Sequence, residues 1–471
     1  MELLDTIAAI STPHGKGGVA LLRVSGENAV EIASRVFHPK NGKALGEIAP
    51  RMATYGTICA PEKDGWESVD DGIATIYQAP HSFTGEDTVE ICCHGGILLT
   101  ETVLAALLAA GARAAKAGEF TRRAHLNGKL GLSAAEALGS LLEASSRQQM
   151  TLAYGGLGGR LEEQSRACYD RLLHVLSSAL ACIDFPEEDL AEMSREQMIE
   201  QTEKTKKQLR ALADTYRTGH AVAEGIPTVI CGHTNVGKSS LYNRLVGRDA
   251  AIVTDIEGTT RDVLCDTATV GGVTLRLFDT AGLRETCDRV EQIGIGRART
   301  AMSEAELILA VFDLTRPLTD DEQALLDELA TRDEPRGTVI ALLNKFDAVC
   351  DQNVSSAVCA AVTSKISHAM TISAQSGAGI EALADLIGTL FVDGSLDLRN
   401  DAIVANARQH ASIVSAEEAL DRALEALRAN LPIDLCCTDL SAAMAALREL
   451  DGREVNEDVV DTIFKNFCVG K

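Results

Sequence analysis

One run, Gly232-His233-Thr234-Asn235-Val236-Gly237-Lys238-Ser239, constrains this chain more than any other stretch. It follows the apolar residues Ile226 to Cys231 and precedes a helical pattern that begins near Ser240. Strand, glycine loop and helix in that order form the setting in which backbone amides cradle phosphate. Gly232 and Gly237 carry no Cβ, so the backbone can fold closely around an anion. The amides from Asn235 through Val236 to Ser240, with the helix N-terminus, then point at it. Lys238 would reach the β and γ oxygens, and the Ser239 hydroxyl would hold Mg²⁺. A glycine turn without a ligand is the competing reading, and the spacing in this setting argues against it.

Four further signals follow in the order that a guanine-nucleotide switch requires. Gly258-Thr259-Thr260 supplies hydroxyls about twenty residues downstream, and Thr260 would complete the Mg²⁺ shell. Asp279-Thr280-Ala281-Gly282 ends an apolar run. Asp279 would hold Mg²⁺ through water, and the Gly282 amide would sense the γ-phosphate. Asn344-Lys345-Phe346-Asp347 ends a later strand. The Asp347 carboxylate can accept two hydrogen bonds from guanine N1 and N2, a donor pair that adenine lacks. Ser373-Ala374 would close over the base. Each match alone is weak; five in order, each at a strand end, specify GTP.

Leu283 follows Gly282 where Ras-like GTPases carry the glutamine that orients the attacking water. Hydrolysis therefore needs another device. Asn235 would ligate a monovalent cation beside the β/γ bridge and do the electrostatic work of an arginine finger. The segment from Ala250 through Thr254, Asp255, Ile256 and Glu257 to Thr260 would offer backbone carbonyls to the same ion. Two downstream carboxylates, Glu285 and Glu291, are candidates for activating the water, with solvated surface charge as the alternative for each.

The chain has 471 residues, enough for about three domains, and a formal net charge of −24. A chain this acidic is a poor overall match for nucleic acid, so any RNA contact needs a local basic patch or a basic partner. Thirteen cysteines lack metal-ligand spacing. With no secretory signal and no long apolar run, the chain is expected to be cytoplasmic, away from membranes, with reduced thiols.

Taken in order, residues 1–127 read as mixed α/β. Strands are expected at Val19–Val24, Thr54–Cys59, Gly72–Tyr77 and Val89–Cys93, and helices at Asn28–Phe37 and Ile97–Ala110. Ser82-Phe-Thr-Gly-Glu-Asp87, His94-Gly-Gly96 and the basic stretch Lys116–Lys129 read either as loops with solvated charge or as a pocket for an anionic or polar ligand. Residues 128–223 are helical. One face is marked by Met198, Thr202, Thr205, Leu209, Leu212 and Tyr216, another by Leu161, Cys168, Leu172, Val175, Ala179 and Ile183. Residues 224–388 alternate short apolar runs with helical patterns, as parallel βαβ units do, with one antiparallel pair around Gly271-Gly272. Residues 389–471 return to helix. The expected fold is multidomain α/β plus α, with the phosphate-binding domain inserted into a discontinuous helical domain.

The chain ends Phe467-Cys468-Val469-Gly470-Lys471 after an amphipathic helix, Val459–Phe467. A prenylation box fits the final Gly-Lys badly. A thiol beside a cation would be more acidic and reactive, so the tail is either frayed or docked as a ligand-contacting element.

These motifs together resemble the MnmE (TrmE) family of tRNA-modification GTPases over nearly the whole chain. The resemblance rests on Gly17-Gly18-Val-Ala-Leu-Leu-Arg23-Val-Ser-Gly26, Ser82–Asp87 with His94-Gly-Gly96, Gly118-Glu-Phe-Thr, Asn127-Gly-Lys129, the GTPase motifs, Val290-Glu-Gln-Ile-Gly-Ile295 and the Cys-x-Gly-Lys end. Val469 stands where Ile is usual in the family, and Cys92-Cys93 before His94 is also unusual. The resemblance implies an N-terminal domain like tetrahydrofolate-binding proteins that also forms a homodimer, a split helical domain and a Ras-like P-loop GTPase domain. It implies work with the FAD protein MnmG, as a heterotetramer, on C5 of the wobble uridine of certain tRNAs, with 5-formyl- or methylene-tetrahydrofolate as the carbon source. Potassium would be held by Asn235, Thr254, Ile256 and Thr259, and Mg²⁺ by Ser239 and Thr260. Glu291 becomes the favoured water-activating residue over Glu285. Folate contacts would fall on Arg23, Glu90, Lys129 and Lys471, and Cys468 would be an active-site thiol.

Two other classes compete. A ribosome-assembly type of regulatory G protein would carry a KH domain or a second G domain, and neither pattern is present. A folate enzyme of small-molecule metabolism would fit the N-terminal half and leave the GTPase motifs without a purpose.

Overall fold

The computed structural model describes residues 5–63, 65–184, 193–247, 265–278, 302, 305–331, 337–454, 457–465, 467 and 470. The chain forms two compact units, one of residues 1–139, 157–169 and 444–471, the other of residues 140–156 and 170–443.

The first unit is built on β1 (Ile7–Ile10), β2 (Val19–Ser25), α1 (Ala29–Val36), β3 (Phe37–Pro39), β4 (Thr54–Glu62), β5 (Gly65–Tyr77), β6 (Thr88–His94), α2 (Ile97–Ala109), β7 (Arg113–Ala114) and α3 (Glu119–Leu126). The strands form one sheet in the order β3-β4-β5-β6-β2-β1-β7, antiparallel except for the β1/β7 pair. Period-two alternation sorts the side chains. Ala8, Leu22, Val24, Ile58, Ile76 and Ile91 bury against α1 and α2 on one face. Ile7 and Ala9 point to the other, where Phe120 of α3 covers them. The expected strands and helices appear, with β5 starting seven residues earlier than Gly72, at Gly65.

The basic stretch 116–129 corrects one of its two sequence readings. Its centre is not a loop with solvated charge, although Lys116 and Lys129 at its ends are exposed: Glu119–Leu126 is helical, Glu119 is buried, and Arg123 is 2% exposed. The Arg123 guanidinium donates to Asp5 Oδ1 at 2.6 Å, to Glu119 Oε1 at 3.2 Å, to both Glu86 oxygens at 3.2 Å and to the Asp5 carbonyl at 2.8 Å. Arg113 bridges Asp5 and Glu119 from the other side. Glu86 of the Ser82–Asp87 motif is thus a structural anchor, and Ser25 also donates to it at 2.8 Å. Only a carboxylate cluster makes a buried guanidinium tolerable.

The helices that follow are α4 (Leu132–Glu143), α5 (Arg147–Gly156), α6 (Arg160–Asp184), α7 (Arg195–Asp214) and α8 (Tyr216–Ala223). In α7 the expected face is the buried one, from Met198 to Leu212, and Ser194 with Gln197 forms its capping box. In α6 Leu161, Cys168, Leu172, Val175 and Ala179 are buried, but Ile183 is 41% exposed and leaves the expected stripe.

The second sheet uses β8 (Ile226–Cys231), α9 (Lys238–Val246), β9 (Cys265–Val270), β10 (Val273–Phe278), β11 (Leu307–Asp313), α10 (Asp320–Ala330), β12 (Thr338–Asn344), α11 (Gln352–Thr363), β13 (His368–Thr371) and α12 (Ile380–Phe391). Strand order is β13-β12-β11-β8-β10-β9. All neighbours are parallel except β9/β10, whose turn is Gly271-Gly272 with φ of 60° and 86°. Two positive-φ residues suit the tight turn of an antiparallel hairpin, which the glycine pair predicts. β11 is buried throughout, as a strand covered on both faces must be. Helices α9 and α12 pack on one face and α10 and α11 on the other. The first of these cores continues into Ala221 and Val222 of α8, Leu152 of α5 and Ile403.

After the sheet the chain returns onto α8. Thr218 Oγ1 accepts from the Asp393 amide at 2.9 Å and Thr215 Oγ1 from the Val404 amide at 3.0 Å. A Cβ on Gly219 would sit 2.0 Å from the Val404 carbonyl, so only glycine permits that approach. Helices α13 (Ala407–Arg428), α14 (Ile433–Asp451) and α15 (Glu457–Lys465) complete the chain.

Candidate nucleotide and ligand sites

The C-terminal edge of a parallel sheet is where an open α/β fold binds ligands. Here β8, β11, β12 and β13 all deliver loops to that edge. After Cys231 the backbone turns with Gly232 at φ 141°, Asn235 at φ 61° and Gly237 at φ 104°, and Gly237 is the N-cap of α9. Added Cβ atoms would lie 2.3 Å from the Val311 carbonyl at Gly232 and 2.1 Å from Asn344 Nδ2 at Gly237. The two glycines are therefore required by close packing as well as by positive φ.

Lys238 Nζ donates to the carbonyls of Gly232 at 2.9 Å and His233 at 2.7 Å, across the mouth of its own loop. Burial pushes its ammonium below the ordinary lysine value. Bound phosphate would supply a negative charge beside it. Asn235, Ser239 and Ser240 are exposed and Val236 is buried.

Asn344 binds the loops to each other. It is 2% exposed. Its Nδ2 donates to the Val236 carbonyl at 2.7 Å, and its Oδ1 accepts from the Ala374 amide at 2.9 Å. One side chain thus ties the phosphate loop to the segment expected over the base. Lys345 adopts φ 64° and donates to Asp313 Oδ2 at 2.6 Å. Asp347 lies exposed on a 3-10 turn, Phe346–Ala348. Ser373 is fully buried, with its Oγ accepting from the Ser376 amide at 3.0 Å. Arg244 of α9 donates to the carbonyls of Ala374 and Gln375. Asn235 through Ser240, Asn344, Lys345, Asp347, Ser373 and Ala374 thus stand at one sheet edge, on its loops, the end of β12 and the first turn of α9. Thr254 to Thr260, Asp279 to Gly282, Glu285 and Glu291 lie outside the described residues.

A second cluster lies in the first unit. Arg23 of β2 and Glu90 of β6 are cross-strand partners, with guanidinium-to-carboxylate distances of 3.0 and 2.7 Å. The Arg23 guanidinium lies 5.2 Å from the Phe83 ring centroid and 5.6 Å from that of Phe120. The Tyr77 phenol bonds Glu90, and burial, then the Glu90 charge, raises its pKa. Lys129 is exposed, and its methylenes pack beside Gly85, where a Cβ would meet Cγ at 3.1 Å. Asn127 Nδ2 donates to the Thr84 carbonyl at 2.7 Å, which fixes the same loop. Gly470, near the chain end, packs against the end of β1. A Cβ on Gly470 would sit 2.4 Å from the Ile10 carbonyl, and Ser11 donates to the Gly470 carbonyl at 3.0 Å. Phe464 packs over Gly118 and beside Phe467, with ring centroids 5.7 Å apart. Cys468 and Lys471 lie outside the described residues.

The sequence reading missed Phe83, Phe120 and Tyr77 around Arg23, and it missed Asp313 beside Lys345. The period-two pattern that places Arg23, Glu90 and Tyr77 on one sheet face was the available signal for part of this.

Comparison with known proteins decides the family. The MnmE helical domain matches residues 132–468, and the N-terminus of the GTP-binding protein TrmE matches residues 6–129. The chain belongs to the MnmE family of tRNA modification GTPases. Its relatives match end to end. The tRNA modification GTPase MnmE of Lacticaseibacillus paracasei is 39% identical over 467 residues, 99% of this chain and 98% of that protein. That of Bacillus licheniformis is 39% identical over 469 residues, 99% of this chain and all of the relative. That of Alkaliphilus metalliredigens is 36% identical over 471 residues, the full length of both. The family accounts for both clusters lying in one chain, since the N-terminal and helical matches lie on either side of residue 130. No helix among the described residues is long and apolar enough to cross a membrane.

Proposed function

We propose that this MnmE-family chain is a potassium-activated GTPase that works with the FAD protein MnmG. Together they add an aminomethyl or carboxymethylaminomethyl group to C5 of the wobble uridine of certain tRNAs, with a tetrahydrofolate one-carbon unit. The observation that carries the GTPase half is the junction at Asn344, which ties Val236 of the phosphate loop to Ala374. Such a junction makes binding of the phosphates and of the base one event.

The residues fit the groups they would hold. The cradle admits no Cβ at Gly232 or Gly237, and the exposed Ser239 hydroxyl at the first turn of α9 would meet Mg²⁺, with Thr260 completing the shell. Exposed Asn235 would offer its side-chain oxygen to K⁺ together with Thr254, Ile256 and Thr259. The ion would supply positive charge at the β/γ bridge, the electrostatic work of an arginine finger. Glu291 would activate the water. Glu90, held by Arg23 with Phe83 and Phe120 nearby, suits a flat heterocycle that bears hydrogen-bond donors, and Lys129 and Lys471 would balance the folate carboxylates. Cys468 would serve as the active-site thiol. In this reading residues 1–127 form the folate and homodimer domain, 128–223 and 389–471 a split helical domain, and 224–388 the inserted G domain. The protein acts in the cytoplasm, and the basic surface for tRNA comes largely from its partner, since this chain carries a net charge of −24.

Steady-state GTP hydrolysis measured in KCl and in NaCl at equal ionic strength tests the ion. The rate in KCl is expected to be at least about tenfold higher, the size of a charge-stabilising contact at the transition state. Equal rates would remove Asn235 from that role.

A further inference from the structure

Lys345 sits in the middle of the base-reading motif with its backbone at φ 64°, a conformation in which a residue with a Cβ is uncommon. Its ammonium is not left to solvent. Asp313 ends β11 directly opposite Asn344, which ends β12 in the register of the parallel pair. The Asp313 side chain is 5% exposed, and its Oδ2 accepts from Lys345 Nζ at 2.6 Å. Its other oxygen is held by the Thr315 amide at 2.9 Å and the Thr315 hydroxyl at 2.6 Å. The carboxylate is therefore fixed before any ligand arrives. Nor is it needed to neutralise the neighbouring arginine. Arg316 lies 3.9 Å from Asp313 but forms its own fork with Glu322, at 2.7 and 2.9 Å. What remains for the second Asp313 oxygen is Lys345.

We propose that Asp313 is a positioning residue for guanine nucleotide binding, acting through Lys345. The proposal rests on the reading of this loop cluster as a guanine site. A lysine stem has four rotatable carbons and costs much entropy to order. With the backbone fixed at one end and the ammonium fixed at the other, the stem is ordered before the base arrives. It stands next to Asn344 and two residues before Asp347 in the chain, so the apolar wall and the base-reading carboxylate are presented together. The cost of ordering falls on folding, and nucleotide binding is correspondingly tighter.

The test uses the full-length chain with a fluorescent GDP analogue and steady-state GTP hydrolysis. Asp313→Asn keeps an oxygen for Thr315 and removes the charge that holds Lys345. Nucleotide release is expected to speed up about tenfold and KM for GTP to rise about tenfold, with kcat within about twofold of the parent, the scale of one charge-assisted hydrogen bond. Lys345→Met keeps an apolar stem and removes the ammonium, so it is expected to give the same loss. The double variant is expected to lose no more than either single one, because both remove the same contact. Parental release and KM in Asp313→Asn, or additive losses in the double variant, overturn the proposal. If Asp313→Asn does not fold, parental release from Lys345→Met overturns it equally. If the parent chain binds GDP no better than ADP, the guanine-site reading fails, and the proposal fails with it.

Discussion

Asn344→Ala is expected to weaken GDP binding by about 30- to 160-fold while the protein stays folded. Both polar ends of Asn344 are spent on backbone groups of other loops, the Val236 carbonyl and the Ala374 amide, and the residue is 2% exposed. Alanine removes both bonds and leaves both backbone groups to find water or move. A net contribution of about 1–1.5 kcal/mol for each bond gives about 2–3 kcal/mol. The β12 core is untouched, since Ile340 to Leu343 keep their packing. Isothermal titration with GDP, beside a thermal melt of the nucleotide-free protein, separates the two effects. An unchanged affinity would show that the loops hold their places without this side chain. Asn344→Asp is the informative control: it keeps the acceptor for Ala374 but turns a buried carboxylate oxygen toward the Val236 carbonyl, so it should lose at least as much as alanine.

The largest effect on stability is expected from Arg123→Ala, about 3–5 kcal/mol, the range seen when one partner of a buried ion network is removed. Glu119 is 8% exposed and Glu86 only half-buried, so truncation would leave Glu119 with Arg113 alone and Glu86 with no guanidinium partner. The partner Asp5 side chain is 40% exposed and adds less, because solvent screens it. Arg123→Lys should recover part of the loss, since it restores the charge but not the fork. Urea denaturation followed by circular dichroism is the measurement, and a loss below about 1 kcal/mol would contradict the account. A pH dependence follows. The Asp5 carboxyl is held low chiefly by its hydrogen bond to Arg113. The Glu119 carboxyl is held low because Arg113 and the Lys116 amide outweigh its burial. A carboxyl held low in the folded protein stabilises it at pH values above the unfolded pKa of about 4. That stability is lost as pH falls through the lower folded values. As pH falls below about 4 the parent should weaken more steeply than Arg123→Ala.

These two positions show where local sequence stops being informative. The phosphate loop, the Asn344–Asp347 motif and the Gly271-Gly272 hairpin are legible because the chemistry lies within a few residues and in a fixed order. Arg123 and Asn344 are not legible in the same way. Arg123 sits among charged and glycine residues that look solvated, and its partners at Asp5 and Glu86 are 118 and 37 residues away. The motif identifies Asn344 but not its bonds, whose partners stand 108 and 30 residues off. Ile183 failed for a related reason: the helical period predicts a face, but not where along α6 the covering neighbours end. The residues around Arg23 were half legible. Strand alternation places Glu90 and Tyr77 on its face, while Phe83 and Phe120 reach it from a loop and a helix that no period connects.

In the proposed function, GTP hydrolysis by this chain serves modification of the wobble uridine of tRNA. Mass spectrometry of tRNA nucleosides tests it most directly, in a strain lacking its own family member and complemented with this chain or with Asn344→Ala. C5-aminomethyl or carboxymethylaminomethyl uridines are expected to return with the parent chain and to fall sharply with Asn344→Ala at equal protein level. Nucleoside profiles that do not differ between the empty strain and the complemented one would contradict it.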